Sequence, residues 1–268
     1  MKSVLAALAT LGLMALSGAA MAENAAPPPA AAPAAPVTRF DASYSAIARG
    51  IDAGRFNYHF SQNGPSYEIT AERRLTGMAR MFMGESQDFS YSVRGAIGPQ
   101  GRLQPAAYQH SGGTRHRIVR VSFNQGQIVT TAEPRMGMGH PPATEDQKRG
   151  AVDQLTALAT LMTTTGDPCS QTVRVYMDGR SRFDFVLSPN GQVNANSTAY
   201  RGRAVRCRVQ FVPIAGFSDP QEAATLTFLF ARTPSGFYAP IVVEMPSDDV
   251  GIIRLEARSL SINGRALR

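Results

Sequence analysis

From Gly54 onward, apolar and polar residues alternate with a period of two in one short segment after another. An antiparallel sheet with one covered face is the fold that uses such a pattern. In residues 54–60, GRFNYHF, the rings of Phe56, Tyr58 and Phe60 share a face, and in 66–75 Tyr67, Ile69 and Ala71 alternate with charged neighbours. The same pattern predicts strands over residues 79–94, 103–109, 116–123, 127–132, 173–177, 182–187, 204–213, 224–231, 239–245 and 252–262. Between them stand turn sequences such as Ser111-Gly112-Gly113-Thr114, Asn124-Gln125-Gly126 and Asp178-Gly179, and connections this short favour antiparallel neighbours.

One stretch breaks the alternation. Over residues 144–163, Val152, Leu155, Leu158, Ala159 and Met162 recur at helical spacing, with Asp153 near the start and Gly166-Asp167-Pro168 as the stop. A lone amphipathic helix in a long sheet must bury its apolar stripe. The expected architecture is therefore mainly β: a curled antiparallel sheet, an open barrel or β-spiral, with this helix on its concave face.

The N-terminus predicts a life outside the cytoplasm. Met1-Lys2-Ser3 supplies a basic start, Val4 to Ala20 is an uncharged run of about 17 residues, and Ala20-Met21-Ala22 is a small-x-small cleavage pattern. A signal peptide over 1–22, cleaved after Ala22, is expected, followed by a Pro/Ala-rich linker at 23–38 and a single β-rich domain at 39–268. No later apolar run is long enough for a membrane span, so an integral membrane protein is not expected. The chain is 43% hydrophobic and 18% charged, too apolar for disorder. Its net charge of +7 is spread along the sequence; nucleic acid is not expected as a partner, since no aromatic-basic platform accompanies the charge.

Cys169 and Cys207 are the only cysteines. In an oxidising compartment such a pair reads as a structural disulfide, because redox-active dithiols come as C-x-x-C and structural zinc takes four ligands. Val205 and Val209 alternate with Cys207, which places its sulfur on the core side, whereas Arg206 and Arg208 take the other face. Closing that loop stabilises the fold by up to about 4 kcal/mol in the chain-entropy model.

Chemistry is harder to find. His110 and His116 flank a turn, but without a carboxylate or cysteine cluster they read as polar residues and not as metal ligands; no metal and no cofactor is expected. No nucleophile elbow, zincin, P-loop or dinucleotide motif occurs, and an enzyme is not expected. Two surfaces invite binding. Met136 and Met138, in the loop PRMGMGHPP, together with Leu155, Leu158 and Met162 of the helix, outline an apolar ligand site, although such methionines are more often core filler. Arg201, Arg203, Arg206 and Arg208 outline an anion-binding ridge, although long basic side chains on a sheet exterior are ordinary.

The segments Gly50-Ile51-x-x-Gly54-x-Phe56, Asp153-Gln154-Leu155-Thr156-Ala157-Leu158, Cys169, Asp178-Gly179-Arg180-x-Arg182-Phe183-Asp184, and Cys207 followed by Pro213-Ile214-Ala215-Gly216-Phe217 resemble exported bacterial proteins of the domain of unknown function 3108 family. The chain is also distantly similar to periplasmic envelope-integrity proteins with a broken β-spiral and to half-barrel lipoprotein carriers. That resemblance implies a periplasmic location and a curled sheet around a helix, and brings no catalytic residues with it. The expected function is a non-enzymatic envelope protein that binds a lipid, a lipoprotein chain or an envelope protein on the concave face. The alternatives are a pure protein-interaction module whose concavity is filled and, third, a hydrolase of an envelope polymer.

Overall fold

A computed structural model describes residues 37–83, 88–124 and 126–267. The expected signal peptide and most of the expected linker lie outside the described residues. The strands are β1 (Arg39–Ala48), β2 (Ile51–Asn63), β3 (Ser66–Leu75), β4 (Phe89–Ile97), β5 (Leu103–Gly112), β6 (Arg117–Asn124), β7 (Gln127–Glu133), β8 (Thr172–Met177), β9 (Ser181–Asn196), β10 (Arg201–Ala215), β11 (Ala224–Arg232), β12 (Tyr238–Ser247), β13 (Gly251–Ile262) and β14 (Arg265–Ala266). The helices are α1 (Gly77–Met83), α2 (Glu145–Lys148) and α3 (Gln154–Thr163).

All the strands join one antiparallel sheet in the order β7-β6-β5-β4-β3-β2-β1-β13-β12-β11-β10-β9-β8, with β14 added to β13. The first half of the chain therefore builds outward from β1 by successive hairpins, and the second half builds back inward until β13 pairs with β1. β7 and β8 are left as the two edges, and the chain passes between them through the loop and helices of residues 134–171. The expected curled, unclosed antiparallel sheet around a helix is the architecture found.

The sheet curls until its two ends touch without pairing. Thr130 on β7 and Tyr176 on β8 exchange a hydroxyl hydrogen bond of 3.2 Å, and the Tyr108 hydroxyl of β5 donates to Asp178 in the β8–β9 turn at 2.9 Å. Gly179 in that turn has φ +72°, and a Cβ there would stand 2.7 Å from Thr130 Cγ2 and 2.9 Å from Val119 Cγ1. Glycine is required on both counts: it accepts the left-handed backbone and permits the close approach of β8 to β6 and β7.

Alternation decides what faces inward. In β3, Tyr67, Ile69 and Ala71 are buried and their neighbours Glu68 and Thr70 exposed. The interior is filled by α3. Leu155, Ala159 and Met162 pack with Phe40, Tyr58 and Ile69, while Ala157 and Leu161 pack with Cys169, Phe183 and Phe228 on the other side. The buried Tyr58 hydroxyl donates to the Leu155 carbonyl at 3.2 Å, and the Tyr67 and Thr156 hydroxyls bond at 3.0 Å, so the sheet meets the polar atoms of α3 as well as its apolar ones.

Two local expectations need correction. The single helix predicted over 144–163 is two. Thr144 caps α2 in a capping box with Gln147, Gly150 with φ +73° turns the chain, and Val152 leaves the helical path to bond β8 through Val152 N–H to Arg174 O and Tyr176 N–H to Val152 O. That bridge satisfies amides on the β8 edge, and Asp153 then caps a fresh helix. The strand predicted over 79–94 is helix α1 followed by β4, because Met- and Ala-rich GMARMFM carries good helix formers that mimic alternation in a short window.

The cysteines form the expected disulfide: Cys169–Cys207, with Cα atoms 5.1 Å apart and a sequence separation of 38. It ties the segment leaving α3 to β10, fixing the helix inside the curl.

Candidate functional site

The place where the sheet fails to close holds two features open to a ligand. The first is a groove of about 860 Å³ beside β7. Every residue from Gly126 to Ala132 lines it. A pocket on a sheet face would touch alternate residues only, so consecutive lining means that the groove runs along the strand's free backbone edge. Among the described residues, no backbone hydrogen bond reaches β7 from the side away from β6. The opposite wall is α2 and the loop before it, contributing Arg135, Met136, Met138, Glu145, Lys148 and Arg149. Val129, 53% exposed, projects from β7 itself. Lys148 is paired with Glu145 at 2.8 Å and Arg149 with Asp146 at 2.9 Å, whereas Arg135 makes no ion pair among the described residues.

The second feature is a cup of about 450 Å³ that shares Met136 with the groove. Its floor is a polar network drawn from three elements. Asp178 Oδ1 accepts from the Tyr108 hydroxyl at 2.9 Å and from Gln154 Nε2 at 2.7 Å, and His110 Nδ1 lies 3.0 Å from the Tyr108 oxygen and 3.7 Å from Asp178. Burial holds the His110 imidazole below its ordinary pKa, against the pull of Asp178 and with the help of Arg117 and Arg73. Tyr108 is pushed well up by burial and then by Asp178, and Tyr91 beside it to about 12 for the same reasons. The network thus joins an imidazole and two phenols, whose charged forms burial disfavours, to the Asp178 carboxyl group. Asp178 itself sits at φ +53°, a backbone state tolerated because its side chain is fixed from two other elements.

The expected site residues are dispersed by this geometry. Met136 and Met138 line the groove, but Leu155 and Met162 are 4% and 0% exposed inside the core and Leu158 packs against the same core, so the five share no open cavity. The concave face expected to receive an apolar ligand is occupied by α3. Arg201, Arg203 and Arg208 are exposed along β10, and Arg206 is half-buried with its Nε donating to Asn190 O. His116 is exposed in the turn, apart from buried His110, and the described residues contain no group of three or more metal-ligating side chains. Asp184 pairs with Arg182, and Asp178 instead joins the network above.

Sequence reasoning missed Tyr108 and Gln154 because the network spans β5, α3 and a distant turn. The free edge of β7 did leave a signal. The long connection over 134–171, with no strand of its own, separates the two strands that cannot form a hairpin.

No described helix is long and apolar enough to cross a membrane. No curated protein and no solved structure matches the chain. One family model does, described as Protein of unknown function (DUF3108), over residues 39–258, which spans β1 to most of β13. The chain belongs to the DUF3108 family.

Proposed function

We propose that this protein is an exported, periplasmic module of the cell envelope that acts without catalysis, taking up an extended segment of a partner protein as an added strand on β7. The observation that carries the reading is the groove along the free edge of β7, set beside a concave face that α3 already fills. An exposed row of strand amides is a liability in a soluble protein unless it is covered or used. β7 has no Pro or Lys within it, and its seven residues offer a partner roughly 23 Å of backbone pairing. Met136, Met138 and Val129 suit apolar side chains. Lys148 and Arg149 are already paired with Glu145 and Asp146, whereas Arg135 has no ion pair among the described residues, so the segment that fits is apolar with an acidic residue facing Arg135.

The test is a photo-crosslinking residue at Val129, with exposed Ile252 as the control position, followed by a synthetic peptide of the crosslinked segment. The expected result is crosslinking at Val129 alone, and slowed amide exchange over residues 127–133 when the peptide is added. A peptide that protects other amides, or no crosslink from Val129, would refute strand addition. Native mass spectrometry of gently purified protein is the second arm; a stoichiometric lipid or acyl chain would replace this reading with the carrier role.

A further inference from the structure

The cup beside the groove has a charge arrangement that strand addition does not use. Arg115 and Arg117 enter it from the β5–β6 turn and the start of β6, and Arg180 from the β8–β9 turn, so the cations converge from the two halves of the sheet. Elsewhere at this end of the fold several cations are paired with carboxylates: Arg182 with Asp184, Lys148 with Glu145, Arg149 with Asp146. In the cup they are not. Arg117 is held by two neutral carbonyls, Nε to Pro134 O at 2.9 Å and Nη2 to Arg135 O at 3.3 Å, which fix its position without cancelling its charge. The Arg115 and Arg180 guanidiniums have no hydrogen-bond or ion-pair partner among the described residues. The one carboxylate lining the cup, Asp178, is already engaged by Tyr108 and Gln154 and forms no ion pair with these arginines.

We infer that this cup is a binding site for a phosphate group, held by Arg115, Arg117 and Arg180 above His110. Three guanidiniums present more N–H donors than the two oxygens of a carboxylate can accept, whereas a phosphate or phosphomonoester offers three or four. The cup is larger than a phosphate ion, which leaves space for the group that carries it. The shared chemistry is a phosphomonoester, whether free in solution or borne on a lipid headgroup. This inference goes beyond the strand-addition reading and does not depend on it.

The experiment is calorimetric titration of inorganic phosphate into the mature protein at low salt, with the His110 imidazole followed by NMR. Binding that weakens as salt rises, and a His110 resonance that moves with phosphate, are expected. Arg115→Gln and Arg180→Gln should each weaken binding by about tenfold or more without lowering Tm, since both side chains lack partners whose loss would unfold the chain. Arg203→Gln, exposed on β10, should change nothing. Absence of heat and of any His110 shift up to about 10 mM phosphate would overturn the site, as would binding indifferent to the Arg115 and Arg180 variants. Vesicles containing phosphatidic acid separate the two sources: retention that the double variant abolishes assigns a headgroup, and phosphate binding without retention assigns a soluble ligand.

Discussion

Asp153 shows how one side chain holds a conflict within the fold. It is fully buried at the N-cap of α3, where its Oδ1 accepts from the Leu155 and Thr156 amides, each at 2.9 Å, and its Oδ2 from the Thr156 hydroxyl at 2.7 Å. Those bonds favour the carboxylate, yet burial outweighs them and lifts its pKa to about 6. The unfolded chain releases this proton near pH 4, so between about pH 4 and 6 the folded state holds a proton that the unfolded state has lost. The sign follows: stability contributed by this group falls as pH rises through that window, by an order of about 3 kcal/mol. Asp153→Asn keeps a good N-cap and removes the charge. Urea melts of both proteins from pH 4 to 7 should show the variant gaining on the wild type as pH rises and levelling off above 6. A constant difference would mean that the carboxylate is not strained by burial. His110, lowered by burial, has the opposite slope, stability rising with pH up to its ordinary range, but it is common to both proteins and cancels in the comparison.

At the scale of elements, the expectation concerns α3. Leu155→Asp places a second unpaired carboxylate beside the Tyr58 and Phe40 cluster and should destabilise the domain by about 3–5 kcal/mol in denaturant melts. Unchanged stability would put α3 outside the core. How readable the elements were depends on side-chain size. β3 was legible to the residue, because Tyr67, Ile69 and Ala71 give a strong period-two signal. β1 left no comparable mark, since its sequence RFDASYSAIA alternates with small Ala and Ser. The break between α2 and α3 was hidden because Val152 fits the helical period of Leu155 and Ala159, although its backbone is needed by β8. The cup and the groove were not legible at all: Tyr108, His110, Gln154 and Asp178 meet only after the curl forms, and an edge is a property of topology and not of any strand's own residues.

For the whole molecule, the disulfide and the sheet order matter most. Cys169–Cys207 anchors the long connection between the two sheet edges to β10, so replacing both cysteines with Ala should cost about 2–4 kcal/mol and lower Tm by roughly 5–15 °C. Mass mapping without reductant should recover the two cysteines in one crosslinked peptide; two free thiols in exported material would contradict both the bond and the oxidising compartment. The pairing of β1 with β13 has a different consequence. Thr38 and Arg39 hydrogen-bond through their amides to the Asn263 side chain, across a separation of 225 residues for Thr38. A chain made from its N-terminus can zip β1 to β7 while it is still emerging, but the far side of β1 waits for β13. Birth order thus makes the centre of the finished sheet an exposed edge while β2 to β12 are made, open to holdase chaperones until β13 arrives and the two halves become one.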